Sequence, residues 1–164
     1  MPLLKTVAVA EQAARLPHVS NLYYQPVTAA FAAELCAAAG MRRAFLCNSG
    51  AEANECAIKA ARAYAAQRRG RDCYTIVTLK DSFHGRTLTT LAATGQDMFH
   101  KDFTPLTPGF EYAEPDNLKD VERICREKKV AGILIECGFL SNADEEQLLQ
   151  QPDYQKKMAA AIAG

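Results

Sequence analysis

Apolar and polar positions along the chain switch between two periods. Val27, Phe31 and Leu35 recur at helical spacing with alanine between them, and Gly40 stands where such a helix stops, so a short helix is predicted from about Val27 to Ala39. Arg43 to Cys47 reads as a first strand. The alanine-rich segment from Gly50 to about Arg69 predicts a helix whose buried face carries Ala57, Ile58, Ala61, Tyr64 and Ala65, ended by Gly70. Cys73 to Leu79 is dense in β-forming residues and predicts a strand. Asp97 to Pro115, which holds Pro105, Pro108 and Pro115, reads as a long irregular connection with one short strand near Phe110 to Tyr112. Asn117 as N-cap, with Asp120 at the third helical position, predicts a helix with an apolar face of Leu118, Val121, Ile124 and Cys125; Lys128 and Lys129 favour its C-terminal end. Val130 to Ile135 reads as a buried strand. Beyond it, Asn142 is placed to cap a short acidic helix through Leu149, and Pro152 to open a last helix on which Tyr154, Met158 and Ile162 share a face. Strands that alternate with helices point to an α/β fold.

Composition narrows the picture. With 164 residues, 49% of them hydrophobic and 23% charged, one globular core is expected. Lys plus Arg and Asp plus Glu both number 19, so bulk electrostatics implies neither a nucleic acid nor a membrane surface as partner. A net charge of zero weakens colloidal repulsion and favours self-association. The six cysteines, Cys36, Cys47, Cys56, Cys73, Cys125 and Cys137, form no Cys-x-x-Cys pair and read as reduced, mostly buried thiols of a cytoplasmic protein. Met1 to Leu16 is broken by Lys5, Glu11, Gln12 and Arg15, which leaves no signal-peptide core, and no apolar run approaches the roughly 20 residues of a membrane span. A soluble chain is expected.

Candidate chemistry begins where the apolar run Ala44-Phe45-Leu46-Cys47 meets Asn48-Ser49-Gly50-Ala51-Glu52. Ser49 is a good N-cap and Glu52 stands three residues on, so the pair predicts a capping box that leaves the backbone N–H groups of Gly50 and Ala51 free. Free donors at the positive end of a helix dipole suit a phosphate dianion, although an ordinary capped helix has the same signature.

The wider string bears on that choice. Leu22-Tyr23-Tyr24, Cys47 to Glu55, Ala57-Ile58-Lys59, Phe83-His84-Gly85-Arg86-Thr87 and Ala92-Ala93-Thr94-Gly95-Gln96 stand together in register, and from about Pro17 to about Glu136 the chain resembles the acetylornithine aminotransferases, class III enzymes that use pyridoxal phosphate. The resemblance implies a partial large domain of the fold type I pyridoxal-phosphate transferases: an incomplete, mainly parallel sheet flanked by helices. It implies that Gly50 and Ala51, with Ser49 nearby, bind the phosphate of pyridoxal 5'-phosphate, that Phe83 lies against its pyridine ring, and that Arg86 meets a substrate carboxylate. It implies N-acetylornithine and 2-oxoglutarate as small-molecule substrates and a homodimer as the assembly. An aromatic plate holds a flat conjugated ring, and an arginine fork grips a carboxylate at two points where lysine offers one. His84 is expected only to pack its loop.

The same chemistry needs a lysine that binds the cofactor covalently and moves the α-proton, and an acid beside the pyridine nitrogen. The family's Asp-x-x-Gln element and lysine segment have no counterpart here, and none of Lys5, Lys59, Lys80, Lys101, Lys119, Lys128, Lys129, Lys156 or Lys157 stands in the family's context. The expectation is a chain that does not transaminate alone. From near Gly132 a second likeness begins: Ile135-Glu136-Cys137-Gly138-Phe139-Leu140-Ser141-Asn142, then Tyr154-Gln155-Lys156-Lys157, is similar to the end of the zinc-dependent N-acetylmuramoyl-L-alanine amidases. That likeness implies a join of two partial sequences, with residues 1–136 aminotransferase-like and 137–164 an amidase-like helical tail on the same core. In it Glu136 is the carboxylate that assists a zinc-bound water. His18, His84 and His100 have no metal-ligand spacing with an acid or cysteine, so a zinc site is not expected. A non-catalytic fused α/β domain is the third reading.

Overall fold

Five β-forming residues, Thr75–Leu79 (β1), make the centre of the sheet in the computed structural model, which describes residues 2–20, 22–137 and 143–163. Phe110–Ala113 (β2) pairs with β1 on one side and Val130–Ile133 (β3) on the other, both parallel, giving the order β2-β1-β3. Parallel neighbours need crossovers, which bury a central strand on both faces. Side chains of β1 accordingly alternate between two small cores. Ile76 packs with Ile58 and Ala93, and Val77 with Ala113 and Ile124. Ile58 belongs to the 20-residue helix Gly50–Arg69 (α3), Ala93 to Leu88–Ala93 (α4) and Ile124 to Leu118–Glu127 (α5), so helices cover both faces of the sheet. A 3-10 turn at Asp97–Phe99 follows α4, and helices Ala143–Leu149 (α6) and Pro152–Ala163 (α7) follow β3.

These elements belong to a compact unit that runs from Cys47 to Gly164. Another unit, Met1–Leu46, holds the helices Pro2–Arg15 and Pro26–Ala39. The second of these ends as expected, with Gly40 in the left-handed conformation at φ 64° and its N–H bonded back to Ala37. Val27, Phe31 and Leu35 are exposed on it.

Several expectations are corrected. Arg43–Cys47 forms no strand; it runs without a ladder and is exposed except at half-buried Leu46, because an extended segment becomes a strand only when a neighbour takes its backbone hydrogen bonds. On α3, Ile58 and Ala65 are buried, whereas Ala57 is exposed and Tyr64 is 63% exposed with Arg68 stacked 5.8 Å from its ring centroid. The stripe is narrower than predicted since a small sheet covers only one side of the helix. β3 is an open edge, and Ile133 and Ile135 are exposed. On α5, Ile124 is buried while Leu118 and Cys125 are exposed. All six thiols are free; Cys73 is buried and Cys47, Cys125 and Cys137 are exposed, so the expected mostly buried set does not form. Asn142 lies outside the described residues, as do the side chains of Met158 and Ile162.

Arg62 fastens α3 to the sheet. Its Nε donates to the Tyr74 carbonyl (3.0 Å), its Nη2 to the Pro108 carbonyl (2.9 Å), and its guanidinium lies 5.2 Å from the Phe110 ring centroid. Burial lowers its pKa, and Tyr74 and Glu55 oppose that shift.

Candidate functional site

The start of α3 is capped by Ser49, whose Oγ accepts from the Glu52 N–H at 3.2 Å. Glu52 does not close the predicted box on Ser49. Its carboxylate reaches one residue further and accepts from the Asn48 backbone N–H (2.7 Å) and Nδ2 (3.0 Å), because two donors on one residue chelate it better than one. Among the described residues the N–H groups of Ser49, Gly50 and Ala51 then have no acceptor. Beyond Gly50 there is room, since a Cβ built there meets nothing within 4 Å.

The loop that leaves the C-terminal end of β1 is seated on this helix start. Gly85 adopts φ +128° and packs so tightly that a Cβ on it would lie 2.8 Å from the Ala51 Cβ and 2.6 Å from Thr90 Oγ1. Asn54 Nδ2 donates to the His84 carbonyl (2.9 Å), and the Thr87 hydroxyl donates to Glu55 (2.5 Å). From the far side, the Phe83 N–H donates to Glu136 Oε2 at 3.1 Å. Glu136, expected to serve an amidase, stands beside the residues expected to serve a cofactor. Phe83, Gly85 and Arg86 are thereby tied to the first two turns of α3 and to the exit of β3.

Around Phe83 the loop carries a cluster of rings. Phe83 and Phe99 meet edge to face with centroids 5.7 Å apart, and the Arg86 guanidinium lies 6.0 Å from the Phe83 centroid and 5.4 Å from that of Phe99. Arg86 is exposed and has no carboxylate partner among the described residues. The segment bearing Phe99 is bonded to the loop at its root. The Asp81 N–H donates to the Gly95 carbonyl (2.8 Å), the Gly95 N–H to the Ser82 carbonyl (3.2 Å) and Gln96 Nε2 to the same carbonyl (3.2 Å).

His84 is buried, 2% exposed, with neither ring nitrogen hydrogen-bonded among the described residues; its backbone N–H donates to Thr94 Oγ1 (3.0 Å). Burial lowers its pKa below the ordinary 6.5, and Glu136 pulls the other way. Unfolded, the imidazole takes a proton near its ordinary value; folded, it resists until lower pH. Stability is therefore complete above about pH 6.5 and declines as pH falls through the window below it. The urea midpoint should drop between about pH 7 and about pH 5, and His84→Gln should flatten that drop. Equal slopes in the two proteins would contradict this.

Sequence reasoning missed α4, Asn54 and Phe99. The signal for α4 was Thr87-x-x-Thr90: Thr87 accepts from the Thr90 N–H and Thr90 Oγ1 accepts from the Thr87 N–H (3.1 Å), a reciprocal cap.

A free trio of N–H donors, open space beyond Gly50, an aromatic ring and an unpaired guanidinium fit a phosphate monoester that carries a flat ring and an anionic substrate. Among the described residues no group of three His, Cys, Asp or Glu side chains stands together to hold a metal, and no helix is long and apolar enough to cross a membrane.

Comparison with known proteins bears on the same region. The family model described as Aminotransferase class-III matches residues 3–145. The acetylornithine aminotransferase of Haemophilus ducreyi is 44% identical over 129 residues, covering 79% of this chain and 33% of that protein. That of Methanocaldococcus jannaschii is 44% identical over 145 residues, covering 86% and 36%. Among solved structures, the ornithine aminotransferase from Toxoplasma gondii ME49 aligns with a TM-score of 0.73 at 28% identity over 78% of this chain and 31% of that one. A second structure of the Toxoplasma gondii enzyme carries PLP at partial occupancy in its active site. The adenosylmethionine-8-amino-7-oxononanoate aminotransferase of Methanocaldococcus jannaschii aligns with a TM-score of 0.74 at 25% identity, covering 81% and 32%. The chain spans about a third of the length of the curated relatives it matches.

Proposed function

Because this chain belongs to the class-III aminotransferase family, we propose that it is the piece of an acetylornithine aminotransferase that holds pyridoxal 5'-phosphate by its phosphate, and that it does not transfer an amino group by itself. When bound, the cofactor supplies an electron sink for chemistry at the carbon that bears the amine. Ser49, Gly50 and Ala51 hold the phosphate through backbone N–H groups at the positive end of α3. Phe83 would lie against the pyridine ring. Arg86 receives the carboxylate of N-acetylornithine or 2-oxoglutarate, and Glu136 steadies the loop by accepting the Phe83 N–H. By this reading the full-length enzyme, of which this chain is a piece, is a homodimer.

The observation that carries this reading is the trio of unpartnered N–H groups at Ser49–Ala51, with the Phe83–Arg86 loop packed on Ala51. Lys80, next to that loop in sequence, is paired with Glu114, and Lys128 and Lys129 are paired with Glu111 and Asp72. Equilibrium dialysis tests the phosphate grip. The chain should retain pyridoxal 5'-phosphate at least about tenfold more tightly than pyridoxal, which lacks the phosphate. Equal retention of the two would remove the assigned site.

A further inference from the structure

We propose that Phe99 is a positioning residue for Arg86: with Phe83 it forms a two-ring seat that holds the guanidinium in place and free to receive a carboxylate. This rests on the reading of Arg86 as the carboxylate receptor. Phe99 is the nearer ring, at 5.4 Å against 6.0 Å for Phe83, and the two rings brace each other edge to face at 5.7 Å. A long exposed arginine samples many rotamers, and each one frozen on binding costs part of the affinity. Rings beneath the guanidinium restrict those rotamers beforehand while leaving its N–H edge outward, since the attraction acts through the ring face and the hydrogen bonds act in the guanidinium plane.

Phe99 is itself firmly placed. It sits on the 3-10 turn Asp97–Phe99, whose next residue, His100, puts Nε2 within 2.7 Å of the Thr94 carbonyl and 3.0 Å of the Leu91 carbonyl at the end of α4. Gln96 ties the start of the turn to Ser82, one residue before Phe83. Both rings of the seat therefore hang from one hydrogen-bonded knot. Sequence gives no hint of this, because the turn lies in an irregular segment.

The test follows the Arg86 Nε–Hε resonance by NMR, assigned through Arg86→Lys, while 2-oxoglutarate is titrated into the chain. In the unaltered chain the Hε signal should stand upfield of the arginines that meet no ring, shifted by ring currents as Arg62 and Arg68 should also be. Phe99→Leu should move it back and weaken 2-oxoglutarate binding about 2- to 5-fold, the factor expected for an exposed cation–ring contact. Phe99→Tyr should keep both properties. An Hε at the ordinary arginine position in the unaltered chain would overturn the proposal without any variant, and so would unchanged affinity in a folded Phe99→Leu. If Arg86→Lys binds 2-oxoglutarate as well as the unaltered chain, the carboxylate reading fails instead, and the ring-current shift alone decides the seat.

Discussion

Gly50→Asp should abolish retention of pyridoxal 5'-phosphate and leave the fold intact. Gly50 opens α3, and a side chain there meets nothing within 4 Å, so the substitution brings no clash. An aspartate in a first helical turn is favoured by the dipole by roughly 0.3–1 kcal/mol, so the urea midpoint should hold or rise slightly. The new carboxylate would stand in the first turn of α3, beside the three free N–H groups. At about 4 Å and an effective dielectric of about 20, each pair of like unit charges repels by about 4 kcal/mol, enough for a loss on the order of a thousandfold. Gly50→Ala, which adds bulk without charge, should retain the cofactor. Dialysis of both variants separates the effects, and equal retention by Gly50→Asp would place the phosphate elsewhere.

Gly85→Ala should damage fold and site together. The residue is held at φ +128°, which side chains other than hydrogen disfavour, and the new Cβ would press on Ala51 Cβ at 2.8 Å and Thr90 Oγ1 at 2.6 Å. Neither neighbour can swing away, since one is a methyl on α3 and the other is engaged in the cap of α4. A backbone penalty of about 1–3 kcal/mol plus overpacking of about 1–3 kcal/mol should lower stability by roughly 2–6 kcal/mol. The loop must then lift off Ala51 and carry Phe83 and Arg86 with it, so cofactor retention should fall as well. Urea unfolding followed by circular dichroism gives the first quantity and dialysis the second. A variant as stable as the unaltered chain would show that the loop does not pack on α3 as described.

The parts legible in sequence were those fixed by local chemistry. Ser49 and Gly70 bracket α3 at its observed ends, Gly40 stops its helix in the left-handed conformation, and Asn117 accepts from the Asp120 N–H as a cap should. Features that depend on distant neighbours were not legible. Arg43–Cys47 has the composition of a strand, yet composition supplies no partner for its backbone groups. Val130–Ile133 has the composition of an inner strand and stands at an edge. The helix Leu88–Ala93 is too short for a period to show and too rich in threonine for propensity to favour it. In the site, the helix start could be read from its cap and the Phe83–Arg86 loop from resemblance. Asn54, Glu136 and Phe99 enter through contacts spanning 30, 53 and 16 residues of chain, which no local pattern encodes.

A grip on the coenzyme's phosphate without a covalent bond to it is the centre of this account. Purified chain loaded with pyridoxal 5'-phosphate, reduced with borohydride, freed of small molecules and weighed by mass spectrometry reads that directly. Cofactor held before reduction and an unmodified polypeptide mass after it is the predicted result. A stoichiometric adduct on one lysine, accompanied by turnover of N-acetylornithine with 2-oxoglutarate, would contradict it.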